Sequence, residues 1–105
     1  MAGYVTTMDP GDVVDARPHF TGAWREFRRE RLDPGGVRSF RAERAELALI
    51  VIAGSGTTEL DGDRHPLDAG ASLVLGDGAA LEVRAGAAGL DLFLTVLDLA
   101  QGERP

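Results

Sequence analysis

Apolar and polar positions along the chain change rhythm several times, and those changes mark the elements. Glu46–Ala53 carries leucine, isoleucine and valine on both parities, the pattern of a strand buried on both faces. Gly54-Ser55-Gly56 breaks the run, and Asp61-Gly62 supplies the backbone of a two-residue hairpin turn. A proline-marked return follows, then Ser72–Leu75 as a strand and Gly76-Asp77-Gly78 as a turn. Ala80–Ala85 alternates Leu81 and Val83 against Glu82 and Arg84, so it reads as a half-buried strand. Gly86–Gly89 turns again, and Leu90–Asp98 is a strand with large apolar residues on both faces.

Upstream the pattern is weaker. Asp9-Pro10-Gly11-Asp12 is a turn, Val13-Val14 begins an edge strand, and Arg17–Gly22 reads as loop. Trp24–Leu32, WREFRRERL, has a thin apolar stripe at helical spacing. As a strand it puts Trp24, Glu26, Arg28, Glu30 and Leu32 on one face, with Arg25, Phe27, Arg29 and Arg31 on the other. The Asp33–Gly36 turn favours the strand, and Val37–Phe40 is a short strand after it. The whole reads as all-β, with residues 1–23 an N-terminal arm or edge strand, 24–100 a barrel and 101–105 a tail.

Composition narrows the function classes. A chain of 105 residues holds a single core. There is no cysteine, so disulfides and thiolate metal sites are excluded. No apolar run approaches the ~20 residues of a membrane span, and the N-terminus lacks a secretory pattern, so the expected partners include no membrane and the expected location is cytoplasmic. A net charge of −6 argues against nucleic acid. All 11 cations are arginine, which fits a GC-rich bacterial genome and also a bidentate grip on carboxylate or phosphate. Strands apolar on both sides leave a face that a small barrel cannot cover, so a homodimer is expected.

The segment IVIAGSGTTELDGDRHPLDAG, within Leu32–Asp98, resembles the end of the first motif and the intermotif segment of the cupin superfamily. That resemblance implies a single-domain, RmlC-like jelly-roll β-barrel. It also implies a metal site built from two histidines and a glutamate of one motif and a histidine of a second. Here those places are taken by other groups. From Gly35, one register puts Arg41 and Glu43 at the histidine positions and Leu47 at the glutamate; the longer spacing puts Phe40 and Ala42 there instead. Leu81 stands at the second motif's histidine. The only histidines, His19 and His65, lie outside both motifs, so no metal and no cofactor are expected.

What remains is an emptied cupin site. Leu47, Leu81 and Val83, with some of Leu49, Val51 and Phe93, are expected to line an apolar interior, with Arg41 and Glu43 at its rim. The expected ligand site is Arg41, Glu43, Phe40, Leu47, Leu81 and Trp24, holding a small and anionic organic ligand. Glu43 and His19 are the candidate acid–base groups should the protein be an enzyme such as a cyclase, epimerase or isomerase. His65 reads as an exposed residue flanking a turn, and Asp61, Asp63 and Asp68 as turn residues without calcium-loop spacing. The readings left open are a metal-free binding cupin of accessory or sensory role, a metal-independent enzyme, and an interaction domain with a filled barrel.

Overall fold

The computed structural model describes residues 6–20, 22–60 and 62–99. Asp61 of the expected turn and the 101–105 tail lie outside the described residues. Among the described residues there are seven strands: β1 (Val13–Asp15), β2 (Trp24–Leu32), β3 (Val37–Arg41), β4 (Ala45–Leu60), β5 (Asp63–Asp68), β6 (Ser72–Leu75) and β7 (Ala80–Asp98). All pairings are antiparallel. Among the described residues no helix is long and apolar enough to cross a membrane.

Two long strands tie the fold together. The first half of β4 pairs with the second half of β7, and their other halves pair with each other again beyond a bend. One layer therefore runs β1-β2-β7-β4-β6, and the other runs β3-β7-β4-β5. The arrangement is a jelly roll whose two layers share β4 and β7. Two breaks expected from the sequence are corrected by this. Gly54-Ser55-Gly56 and Gly86–Gly89 do not end strands; they are irregularities inside β4 and β7 where each strand passes from one layer to the other.

Glycine is required at that crossing. Gly54 has φ +88°, and a Cβ placed on it would lie 2.2 Å from the Gly89 carbonyl oxygen. A Cβ on Gly56 would lie 2.3 Å from the Arg84 carbonyl oxygen. Backbone meets backbone here, so no side-chain rotation relieves the clash.

The core between the layers is aliphatic. Leu47, Leu49 and Val51 point inward from β4, Leu81, Val83 and Ala85 from one half of β7, and Leu90, Leu92, Leu94 and Val96 from the other. Inward positions on β7 change from odd to even across Gly86–Gly89, because the irregularity shifts the side-chain alternation. Phe93 is thereby placed on the outer face, not in the interior as expected. The outer faces are also less covered than the sequence suggests: Ile50 and Ile52 are each 44% exposed.

β2 carries a second correction. A bulge between Trp24 and Glu26 exchanges the faces of its first residues. Trp24 joins Phe27 on the outer face, with ring centroids 5.8 Å apart. Arg25 turns toward the barrel mouth, where it pairs with Asp98.

Gly54→Ala is expected to cost about 2–4 kcal/mol, because it combines a left-handed backbone with a backbone collision. Gly70→Ala, at φ +93° with open space around it, is expected to cost about 1 kcal/mol. Urea unfolding of the two variants measures the contrast; equal losses would refute the close-approach argument.

Candidate functional site

At one end of the barrel, inward residues of β2 and β3 include charged groups while those of β4 and β7 remain aliphatic. Glu26, Arg28 and Glu30 on β2 pair in register with Val96, Leu94 and Leu92, all of which face the core. Arg38 and Phe40 on β3 pair with Val83 and Leu81, so they too lie on the inner side. The register forces this mixture: alternation that buries Leu32 must also send Glu30, Arg28 and Glu26 inward.

Glu30 is the organising group. Its carboxylate accepts from Arg38, with Nη1 at 2.7 Å and Nη2 at 3.2 Å, a two-pronged contact. Arg28 Nη2 approaches the same carboxylate at 3.5 Å. The Glu30 side chain is only 10% exposed, and burying a carboxylate is costly unless it is paired. The Arg38 guanidinium also lies 5.7 Å from the centre of the Phe40 ring, a favourable cation–π distance. Because β2 and β3 belong to different layers, Arg38–Glu30 joins the layers across the mouth.

A cavity of about 330 Å³ opens beside this cluster. Leu47, Leu94, Val96, Ala45 and Phe40 form its apolar wall, and Arg28, Arg38, Arg25 and Glu26 its polar one. Arg28 Nε is buried and has no hydrogen-bond partner among the described residues. Glu26 lies at 3.4 Å from it, within ion-pair range but without hydrogen-bond geometry.

Of the residues singled out from the sequence, Phe40, Arg41, Glu43 and Leu47 line this cavity. Arg41 and Glu43 pair with each other, Nε to Oε1 at 3.2 Å, but their side chains are 65% and 75% exposed. An ion pair so open to water contributes little stability. Leu81 is buried in the core and does not reach the cavity lining, and Trp24 lies on the outer face. His19 sits in the turn after β1, its backbone NH bonded to the Ala16 carbonyl, away from the mouth lining. His65 is exposed on β5 opposite Thr58. Arg28, Glu30 and Arg38 were not singled out as a site. The signal was present in REFRRERL, where every inward residue before Leu32 is charged.

The two motif registers are resolved by which side chains point inward. Phe40, Ala42, Leu47 and Leu81 are buried, whereas Arg41 and Glu43 are exposed at the cavity rim. The places that would hold a cupin metal are thus filled by a phenyl ring, a methyl and two isobutyl groups. None of these can donate to a metal, and the residues present do not fit one. Among the described residues no group of three or more histidine, cysteine, aspartate or glutamate side chains is arranged to hold a metal ion.

No protein-family model matches the chain, and no curated protein sequence matches it. Solved structures do. The fold is similar to that of a cupin protein from Bacteroides fragilis, with TM-score 0.71 and 19% identity over 98% of this chain and 87% of that one. A predicted oxalate decarboxylase from Thermotoga maritima aligns at TM-score 0.67 and 22% identity, covering 73% of this chain and 69% of that one. KdgF from Halomonas sp. aligns at TM-score 0.62 and 20% identity, covering 77% and 74%. The fold is therefore a cupin-type jelly roll, as the sequence resemblance implied; at these identities the likeness extends to the scaffold and not to an activity.

Two outcomes are expected. Incubation with manganese, nickel or zinc followed by chelator should leave the melting temperature unchanged, since the described residues form no donor set to be emptied. Arg38→Met should cost about 1–2 kcal/mol in denaturant unfolding, less than a fully buried pair because Arg38 is half exposed. A metal-dependent melting temperature, or a neutral Arg38→Met, would refute the respective point.

Proposed function

We propose that the protein binds a small organic anion at the barrel mouth, held by Arg28 and Arg38 over the apolar wall of Leu47, Leu94 and Val96. The observation carrying this reading is the buried Nε–H of Arg28, which makes no hydrogen bond among the described residues, beside a cavity with one charged and one aliphatic side. A buried donor left unmade costs about 1–3 kcal/mol, and a ligand carboxylate oxygen would satisfy it. Arg25 and Arg38 make hydrogen bonds to Asp98 and Glu30, whereas Arg28 meets Glu26 and Glu30 only at 3.4 and 3.5 Å, so Arg28 is the mouth cation with most to gain. The cavity is at the small end of the roughly 300–1,000 Å³ typical of ligand sites, which suits a short carboxylate with an apolar body.

The interior below the mouth is packed with leucine and valine, so the ligand would not enter the barrel itself. On this reading the protein is a binding cupin of sensory or accessory role. The residues for acid–base chemistry do not gather: Glu43 is exposed at the rim and His19 lies elsewhere.

Calorimetric titration with acetate, malonate, succinate and benzoate tests the proposal, with the matching neutral amides as controls. At least one carboxylate should bind, its amide should not, and Arg28→Ala should weaken binding roughly tenfold or more, the loss of a charged hydrogen bond. Equal binding of acid and amide, or retention of affinity in Arg28→Ala, would overturn it.

A further inference from the structure

The turn between β3 and β4 holds a residue type that its backbone does not favour. Arg44 has φ +52°, in the left-handed region, and among the described residues no other non-glycine residue has a positive φ. Elsewhere that region is left to glycine, as at Gly35, Gly70 and Gly78. Arg44 is fixed there from two sides. Its NH donates to Asp77 Oδ1 at 2.8 Å, and its carbonyl accepts from Arg25 Nη2 at 3.2 Å. Neither contact uses the Arg44 side chain, so glycine at this position would keep both and escape the left-handed penalty. The Arg44 side chain is exposed and makes no ion pair among the described residues. Beside it lies a depression of about 380 Å³ lined by Arg41, Ala42, Glu43, Arg44, Asp77 and Gly78. Arg41 and Glu43 also line the mouth cavity, so the two concavities meet at the rim.

We infer that Arg44, with Arg41, forms a second anion-binding site at the rim, and that the ligand of the mouth carries two anionic groups. This rests on the mouth reading above: one carboxylate on Arg28, the hydrocarbon body against Leu47, Leu94 and Val96, and the second carboxylate on the rim arginines. A strained residue kept where glycine would be easier points to a task for its side chain. A guanidinium suits that task, because its forked N–H groups match a carboxylate. The acids at the rim leave room for it. Asp77 Oδ1 serves the Arg44 backbone NH and so holds the turn in place. Glu43 faces Arg41 in a pair open to water, which a ligand carboxylate can replace at little cost.

Calorimetric titration with the straight-chain dicarboxylates from succinate to adipate, each beside its monoamide, tests the inference. At one length or more the diacid should bind roughly tenfold or more tightly than the monoamide, the gain of a second charged contact. Arg44→Gly should bring the diacid down to the affinity of its monoamide and should melt no lower than the native protein. Arg44→Asn, which also tolerates the left-handed backbone, should behave alike. A monoamide that binds as tightly as its diacid at every length overturns the inference and leaves the mouth site standing. A diacid preference that survives Arg44→Gly does the same. A lower melting temperature in both variants also overturns it, because the side chain would then be structural. Should neither acid nor monoamide bind, the mouth reading fails and this inference falls with it.

Discussion

A carboxylate set among leucines requires cations, and Glu30 is that carboxylate. The strand that buries Leu32 also turns Glu30 inward, two residues earlier and on the same face. Arg38 reaches it from the opposite layer and Arg28 from along the strand. Those contacts do two things together. They join the layers where the barrel would otherwise gape, and they collect positive charge against an aliphatic wall. The half-buried ion pair is better understood as fixing geometry than as adding net stability.

β2 works on both of its faces. Its inward residues build the mouth, while Phe27 and Arg29 on the outward side hold the N-terminal segment. Nine residues with no long apolar run therefore contribute to both layers of the account. The bulge at Trp24 adjusts the division by sending the indole outward and Arg25 to the mouth.

Much of the architecture was legible in the sequence. Glycine and proline marked the turns, alternation in 80–85 gave the correct inward residues, and the GSG…DGD…P…G run carried the resemblance to the cupin scaffold. The misreadings share one physical cause. Strict alternation fails wherever an extra residue interrupts the ladder, and it was interrupted at Trp24/Glu26, near Gly54 and at Gly86–Gly89. That is why Trp24 and Phe93 were expected inside and are found outside. The site was half legible. Motif register brought out Phe40, Arg41, Glu43 and Leu47, but Arg28, Glu30 and Arg38 lie outside the motif positions tested. Their meeting depends on two strands of different layers facing each other, which local spacing does not encode.

The positions at which a cupin-type barrel would hold a metal are here Phe40, Ala42, Leu47 and Leu81, so the scaffold is retained with a different inner surface. Beside that inner surface, the Arg28 and Arg38 guanidinium groups line the mouth cavity opposite Leu47, Leu94 and Val96. The most direct measurement is an arginine Nε–Hε nuclear magnetic resonance titration with succinate, reading each side chain separately. Saturable shifts are expected at Arg28 and Arg38, with outward-facing Arg29 and Arg31 unmoved. Shifts confined to Arg29 and Arg31, or none up to millimolar succinate and benzoate, would contradict the proposed mouth site.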